Sequence, residues 1–265
     1  MKIIITIGLV LVLGIGMLTG CGKSSGTSGT SNQASSEGTK TAEKTSGGSS
    51  DDYFTWDGDT ITGLTDSGAK QTSLTIPDSA KKIGDGAFQF DSVLTSITLG
   101  NGLEEIGEAA FWGDKLTEIS FPSSLKNIDE CAFYICDKLT EISFPSSLKN
   151  IGKSAFYGCR SLKTITFSVG LEEIGADAFG LCDDLVKIEL PEGLASIGNG
   201  AFSPCPYVQD IYLPTSLENI SKGAFGFNDG ANVYVKKDSW ADSHFAEFVD
   251  TSLATDALIY TKNYY

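Results

Sequence analysis

Residues 139–159, which read LTEISFPSSLKNIGKSAFYGC, contain the pattern that specifies the fold of this chain. In the first part, polar and apolar residues alternate from Glu141 to Phe144, which is the pattern of a half-buried strand. Pro145 ends the strand because proline has no N–H to donate to a neighbouring strand. The second part contains the pair Ala155-Phe156, and variants of the whole stretch precede and follow it along the chain.

The Ala-Phe pair marks a repeat with a nearly fixed period. Its copies recur at an even spacing, as from Ala132 to Ala155, and an Ile stands before each Ala at the same distance. The strand pattern recurs with the same period. Periods of about 20 to 29 residues with such strands are typical of leucine-rich repeats, whose coils bury their apolar side only against neighbouring coils. The sequence therefore predicts a solenoid of about seven coils, whose Ala-Phe pairs begin at Ala87, Ala110, Ala132, Ala155, Ala178, Ala201 and Ala224.

Over about residues 71–235 this repeat resembles the BspA-like class of leucine-rich repeats, which occurs in bacterial surface proteins and some protists. The resemblance implies a parallel concave sheet, with one strand from each coil of about 22 to 23 residues. We expect the Ile-Gly-x-x-Ala-Phe stretch to form a short helical turn on the convex side, with Phe filling the space between coils. Because members of the class are associated with adhesion to host matrix proteins, the resemblance also implies that the chain binds a protein.

The two ends of the solenoid need caps, since a terminal coil would otherwise expose its apolar face. Residues 51–70 are the predicted N-terminal cap and contain a hairpin that turns at Asp57-Gly58. Residues 236–265 are the predicted C-terminal cap. Within it Trp240, Phe245 and Phe248 recur at roughly helical spacing, which predicts a short helix.

The first twenty residues have the pattern of an export signal. Lys2 precedes an apolar run over residues 3–18, and this run is shorter than a membrane span requires. The sequence Leu18-Thr19-Gly20-Cys21 resembles a lipobox, which implies cleavage before Cys21 and attachment of diacylglycerol to its thiol. We therefore expect a lipid-anchored protein that faces outward from a bacterial cell membrane. The alternatives are an uncleaved anchor and an ordinary signal followed by an incidental cysteine.

Between Cys21 and residue 50 the chain consists mostly of Gly, Ser and Thr and contains no large apolar residue, so we expect a disordered tether. The formal net charge is -15, and removal of Lys2 with the signal would make it -16. Such an acidic chain is a poor partner for nucleic acid, which needs basic patches. We expect no metal ion and no cofactor, and the only histidine, His244, leaves an envelope enzyme as a remote alternative.

The residues on either side of each strand Ile are expected to point away from the core and to form a polar concave surface. Tyr212 and Tyr234 are the first candidates for anchoring a protein partner, because aromatic residues are enriched in binding hot spots. Glu118 and Glu141 should be stacked like charges, which a divalent cation, a basic partner group or solvent would have to compensate. The predicted partner-binding residues are Glu118, Glu141, Thr164, Lys187, Glu189, Asp210, Tyr212 and Tyr234.

For two further rows of residues, one aromatic and one of cysteines, the sequence leaves the role open. Trp112, Tyr134 and Tyr157 follow the Ala-Phe pair in three successive coils, on the predicted convex side, and would either stack on sugar rings of a carbohydrate or cell-wall ligand or pack the repeat. A second row consists of Cys136, Cys159, Cys182 and Cys205, which recur with the period of the repeat. The pattern favours buried free thiols, with disulfides between neighbouring coils as the alternative.

Overall fold

The computed structural model describes residues 50–226 and 231–244 of the chain. The predicted signal, Cys21, nearly all of the tether, and Phe245 and Phe248 of the predicted C-terminal cap lie outside the described residues. Everything described belongs to one compact unit, Glu43–Tyr265. Within the described residues, no helix has the length and apolar character needed to cross a membrane.

Each coil contributes two short strands and one turn segment. The first strand has three residues, and its central apolar residue is buried while its neighbours are exposed or half-buried. These strands are β3 (Ser73–Thr75), β5 (Ser96–Thr98), β7 (Glu118–Ser120), β9 (Glu141–Ser143), β11 (Thr164–Thr166), β13 (Lys187–Glu189), β15 (Asp210–Tyr212) and β17 (Asn232–Tyr234).

The three-residue strands pair in parallel, as predicted, but their ladder is interrupted twice. They form three sheets in the orders β3-β5-β7, β9-β11 and β13-β15-β17. The interruptions therefore lie between β7 and β9 and between β11 and β13. The alternation of apolar and polar residues predicted the strands but not these breaks.

The second strand of each coil has two residues and ends at the Ile of the repeat. These strands are β4 (Lys82–Ile83), β6 (Glu105–Ile106), β8 (Asn127–Ile128), β10 (Asn150–Ile151), β12 (Glu173–Ile174), β14 (Ser196–Ile197) and β16 (Asn219–Ile220). They form one continuous parallel ladder, which the hairpin of β1 (Phe54–Asp57) and β2 (Thr60–Leu64) extends at its N-terminal end. The predicted hairpin is confirmed, and it turns at Gly58, whose φ is 62°.

The predicted helical turn is wrong for the coils that the structure describes. The segment around each Ala-Phe pair is a series of tight turns in which the residue before Ala has φ between 53° and 78°. Every second N–H in this segment donates to a carbonyl of the next coil, as from Phe133 to Ala155, so these groups are not available for helical bonds. Cys131 occupies this left-handed position in its own coil and is buried.

The interior contains several stacked rows of equivalent side chains, among them a Phe row and a Cys row. The rings of Phe88, Phe111, Phe133, Phe156, Phe179, Phe202 and Phe225 stack in order, with centroids 4.9 to 5.6 Å apart. The structure thus confirms that Phe fills the space between coils. Cys136, Cys159, Cys182 and Cys205 form the Cys row as buried free thiols. Each thiol donates to the carbonyl of a Phe in the preceding coil, as from Cys136 Sγ to Phe111 O over 3.0 Å.

The C-terminal end of the described chain carries a single helical turn, α1 (Trp240–Ser243). The side chain of Ser239 caps it by accepting the N–H of Asp242 over 3.2 Å. Ala241 is buried, and Trp240 packs against the core of the last coils. This turn lies within the predicted C-terminal cap.

Candidate functional site

The side chains that flank the buried central residue of the three-residue strands form one surface, which we call the polar face. Of the predicted partner-binding residues, Glu118, Glu141, Thr164, Lys187 and Glu189 are exposed, while Asp210, Tyr212 and Tyr234 are half-buried. The strand alternation alone is enough to turn them outward, since successive side chains of a strand point to opposite faces. The polar face is therefore free of core packing over most of its length.

Glu118 and Glu141 lie on strands that the structure does not pair, because the first interruption of the ladder separates β7 from β9. Both side chains are exposed. In the described ranges there is no group of three or more His, Cys, Asp or Glu residues arranged to hold a metal ion. Solvent can therefore reach and compensate these two charges, and cation binding by this pair stays a prediction.

Tyr212 and Tyr234 are packed against each other at the C-terminal end of the polar face. Their ring centroids lie 4.4 Å apart, with planes at 7°. The hydroxyl of Tyr234 donates to Asp210 Oδ1 over 3.1 Å, and Asn232 Nδ2 donates to the same oxygen over 3.0 Å. The structure brings Asp210 and both tyrosines together in one network, so these side chains are held in fixed positions.

Lys187 joins this network to the preceding strand. Its Nζ lies 4.7 Å from the centroid of the Tyr212 ring and 2.6 Å from Glu189 Oε2. A cation over an aromatic face is attracted by the ring electrons. Lys187, Glu189, Asp210, Tyr212 and Tyr234 thus form one cluster.

A groove of about 710 Å³ opens next to this cluster, at the second interruption of the ladder. One wall consists of β11 and the residues around it, and the other consists of β13 and the residues around it. Two exposed valines line the groove: Val169 with 73% of its surface exposed and Val186 with 45%. Neither valine was predicted, although each is an apolar residue at a repeat position that is polar in neighbouring coils.

The predicted aromatic row is present, and Phe90 of the preceding coil, which stands one position later in its repeat, packs against the first ring of the row. Phe90 lies 5.3 Å from Trp112, Trp112 lies 5.1 Å from Tyr134, and Tyr134 lies 5.1 Å from Tyr157 between ring centroids. Tyr134 and Tyr157 are stacked within 13°, and a Cβ added at Gly180 would lie 2.8 Å from the Tyr157 ring. Faces of these two rings are therefore occupied within the protein. This arrangement favours packing, and glycan binding by the row stays a prediction.

His244 follows the last helical turn and is engaged there. Its Nδ1 lies 2.9 Å from the carbonyl oxygen of Trp240, and its ring stacks on the Trp240 ring with centroids 4.5 Å apart. Ser243 Oγ lies 3.0 Å from Nδ1 and also donates to the Trp240 carbonyl over 2.8 Å. A nitrogen that donates to this carbonyl has no lone pair left to accept the serine proton. Ser243 and His244 therefore both bond to the carbonyl of Trp240, the first residue of the helical turn.

Asp114 occupies the position that the cysteines of the buried row hold in later coils, which was not predicted from the sequence. Its side chain is fully buried, and its Oδ1 accepts the N–H of Asp91 over 3.0 Å. Its Oδ2 has no hydrogen-bond partner within the described chain. Burial, helped by the charge of Asp91, raises the pKa of Asp114 to about 8. Burial likewise raises the pKa of the thiols in the same row.

Comparison with known proteins gives a family match and several structural likenesses. The family model described as a BspA type leucine rich repeat region matches residues 66–168 and 128–239, with six copies of the repeat. These ranges cover more than half of the chain. Among curated proteins, none matches.

Several solved structures resemble the chain. A leucine-rich repeat protein from Bacteroides ovatus is 26% identical with a TM-score of 0.53, over 68% of this chain and 53% of that one. A protein of the same description from Eubacterium ventriosum is 20% identical with a TM-score of 0.47, over 58% and 51%. The leucine-rich repeat protein of T. pallidum is 22% identical with a TM-score of 0.42, over 66% and 78%. The chain thus spans about half the length of the B. ovatus protein.

Proposed function

The chain belongs to the BspA-type leucine-rich-repeat family, and from that premise we propose that it is a lipid-anchored protein of the bacterial cell surface that binds a protein partner through its polar face. Repeats of this kind are generally binding scaffolds rather than enzymes. Cys21 would hold the protein to the bilayer, and the Gly-, Ser- and Thr-rich residues after it would carry the repeats away from the lipid.

The observation that carries the proposal is the polar face itself. Residues on both sides of each buried strand Ile are exposed from β7 to β13, so a partner can contact four successive strands without disturbing the core. At its C-terminal end the face includes the cluster of Lys187, Asp210 and the stacked tyrosines, which are already held by mutual contacts. Side chains fixed before binding lose little conformational entropy when a partner arrives.

The proposal is tested with the full chain carrying Cys21→Ser, solubilised in mild detergent and probed against arrays of extracellular proteins and glycans. The face variant is Ser120→Arg with Ser143→Arg, which changes two exposed positions of β7 and β9. Its matched control is Asn150→Arg with Asn219→Arg, which adds the same charge at exposed positions of β10 and β16. Tyr212 and Tyr234 are left unchanged because their removal would also disturb the stacked pair.

We expect the parent chain to bind at least one extracellular protein, with affinity at least tenfold weaker in the face variant and unchanged in the control variant. Equal loss in both variants would mean that the added charge, not the polar face, is responsible. Binding of glycans alone, unaffected by the face variant, would contradict the proposal and favour the aromatic row around Trp112, Tyr134 and Tyr157.

A further inference from the structure

One edge of the solenoid presents large apolar side chains at a single repeat position, the second residue after the Ala-Phe pair. Phe90 is 63% exposed and Ile135 is 43% exposed, while Leu181 is half-buried. Gly113 and Gly158 hold the same position in the coils between them. A large apolar side chain therefore recurs in every second coil, and we call Phe90, Ile135 and Leu181 the ridge.

The backbone at the ridge is unfavourable for the residues that occupy it. Phe90, Ile135 and Leu181 have φ of 60°, 59° and 55°, in the left-handed region that Gly113 and Gly158 also adopt. A β-branched residue such as Ile135 rarely adopts a positive φ, whereas glycine does so without a steric cost. Because Phe90 and Ile135 are exposed, burial compensates little of this cost. Residues kept in an unfavourable conformation cluster at binding sites.

The ridge is supported by the coils between its members. A Cβ added at Gly113 would lie 2.9 Å from Phe90 Cδ1, and one added at Gly158 would lie 3.2 Å from Ile135 Cγ1. Each of these two ridge side chains thus lies over the glycine of the next coil, and Phe90 also contacts the Trp112 ring at 5.3 Å between centroids. The alternation of large residues with glycine therefore fixes the spacing of the ridge.

The spacing of the ridge matches the repeat of a helix. Neighbouring coils are about 4.8 Å apart, so the ridge side chains recur about every 10 Å. Seven residues of an α-helix rise about 10.5 Å, and a side chain can insert between four residues of a facing helix, as knobs do in coiled coils. An extended strand repeats its same-face side chains about every 6.6 Å, which does not match. A polyproline helix repeats about every 9.3 Å but docks in clefts between aromatic side chains, and the rings of Tyr134 and Tyr157 beside the ridge are stacked within 13°.

The charges beside the ridge favour a basic helix. The turn segments on one side of it contain Glu108, Glu130, Lys153 and Asp177. Lys153 Nζ pairs with Glu130 Oε1 over 3.0 Å, whereas Glu108 and Asp177 form no ion pair within the described chain. On the other side of the ridge, basic and acidic side chains pair between coils. One side of the ridge therefore carries an excess of negative charge.

A second copy of the chain fits the ridge poorly. The ridge is about 20 Å long and only a few side chains wide, whereas a stable interface between proteins buries roughly 800 Å² on each partner. A second copy would also bring another formal net charge of -15. The occupant that fits is therefore smaller than this chain and basic.

We propose that the ridge binds a basic amphipathic α-helix of another protein, about 15 residues long, whose apolar side chains recur every seven residues and whose Lys or Arg side chains face Glu108 and Asp177. Such a helix places three equivalent positions over about 21 Å, which is the length of the ridge. Phe90, Ile135 and Leu181 then pack between its apolar side chains and are no longer exposed. This site shares no residue with the polar face and goes beyond the proposed function, so either proposal can fail without the other.

The probes are two peptides with blocked ends: Lys-Leu-Ala-Gln-Leu-Lys-Gln-Lys-Leu-Ala-Gln-Leu-Lys-Gln-Lys-Leu, and the same peptide with every Leu replaced by Ala. Both carry lysines on either side of the stripe, so that a helix running in either direction presents them to Glu108 and Asp177. The full chain carrying Cys21→Ser is immobilised and washed free of detergent, and binding is measured by surface plasmon resonance. We expect the Leu peptide to bind saturably and the Ala peptide to bind at least tenfold more weakly.

The first variant removes two members of the ridge. Ile135→Asn with Leu181→Asn is expected to weaken binding of the Leu peptide at least tenfold, and asparagine tolerates the left-handed backbone at both positions. Its matched control is Val169→Asn with Val186→Asn, which removes two exposed valines away from the ridge and leaves binding unchanged.

The second variant removes the two acidic side chains without an ion pair. Glu108→Gln with Asp177→Asn is expected to weaken binding of the Leu peptide at least threefold at low salt. The matched control is Glu118→Gln with Glu141→Gln, which removes the same charge from exposed positions of the polar face and leaves binding unchanged. An equal effect of both pairs would overturn the assignment of a basic partner, because it would reflect only the net charge of the chain.

The inference as a whole is overturned if the Leu peptide does not bind saturably, if the Ala peptide binds as tightly, or if Ile135→Asn with Leu181→Asn leaves binding unchanged. It is also overturned if analytical ultracentrifugation of the parent chain shows a dimer that these two substitutions dissociate, because the ridge would then pair with a second copy.

Discussion

At the scale of single residues, one repeat position shows which side chains can be accommodated in a buried row. Cys136, Cys159, Cys182 and Cys205 are small, bury completely and still donate to a Phe carbonyl of the preceding coil. Asp114 has nearly the same size but carries a carboxyl group that burial disfavours in its ionised form. The neutral acid therefore fits this row better than the carboxylate does, because burial costs the neutral form less.

Asp114 should therefore make the stability of the repeats depend on pH. Its pKa is raised to about 8 in the folded chain, whereas an unfolded Asp titrates near 3.9. Between these values the folded state binds one more proton than the unfolded state, so the free energy of unfolding falls as pH rises. The slope is at most about 1.4 kcal/mol per pH unit for one group. Asp114→Asn, which cannot ionise, is expected to remove this contribution and to be more stable than the parent at pH 8.

Urea denaturation of the parent and of Asp114→Asn at pH 5 and pH 8 measures the effect, with exposed Asp184→Asn as the control. The free energy of unfolding of the control should match that of the parent at both pH values. If the free energy of unfolding of Asp114→Asn changed between pH 5 and pH 8 as much as that of the parent, the carboxyl group would be solvated in the folded protein, contrary to its buried position.

Among the elements, the turn segment explains why a strong sequence signal led to the wrong local structure. The Ile-Gly-x-x-Ala-Phe motif correctly predicted a buried Ala and a stacked Phe, because both depend on the repeat period alone. It did not predict the backbone, since N–H groups of the segment bond to the next coil rather than within their own turn. Non-glycine residues such as Ala109 and Ser154 adopt left-handed conformations there, which cost about 1 kcal/mol or more each and require support from the neighbouring coils.

The Phe row should carry much of the stability between coils. Phe156 is fully buried, with centroids 4.9 Å from Phe133 and 5.3 Å from Phe179. Phe156→Ala is expected to lower the free energy of unfolding by about 3 to 5 kcal/mol, because it opens a cavity in the middle of the row. Phe156→Leu is a milder change that remains measurable if the alanine variant does not fold. Both are measured by urea denaturation.

Phe90→Ala is the matched control for this change, since 63% of Phe90 is exposed. It should cost at most about 1 kcal/mol, mainly through its contact with Trp112. If Phe90→Ala and Phe156→Ala were equally destabilising, the stacked interior row would have no special part in holding successive coils together.

For the molecule as a whole, the acidic charge and the predicted anchor bear on where the repeats act. The chain carries a formal net charge of -15, and several lysines on the two-residue strands or beside them pair with a Glu of a neighbouring coil. Such a surface is repelled by anionic lipid head groups. Attachment to a bilayer would therefore depend on the lipid at Cys21 and not on the repeats.

The anchor is tested by growing bacteria that express the chain with an alkyne-bearing fatty acid. We expect label on the parent chain and in the membrane fraction, because two acyl chains give stable attachment where one gives only marginal binding. Cys21→Ser should remove the label and the membrane association, while Ser25→Ala keeps both. Label that persists in Cys21→Ser would place the lipid elsewhere, whereas membrane association without label would mean that the apolar signal stays uncleaved.

The amino-acid sequence was enough to predict the coil, the number of coils, the buried Phe row and the outward side chains of each strand. These features recur with the period of the repeat and depend on contacts between equivalent positions. The period is therefore enough to predict them. The terminal hairpin was also predictable, because its turn at Gly58 is local.

The interruptions in the ladder of three-residue strands, and therefore the position of the groove, became visible only in the folded chain. The same holds for the network that Tyr212, Tyr234 and Asp210 share and for the non-helical turn segments. Each of these features depends on distances and hydrogen bonds between neighbouring coils. A repeat pattern specifies which residues face one another, but not whether the backbones approach closely enough to bond.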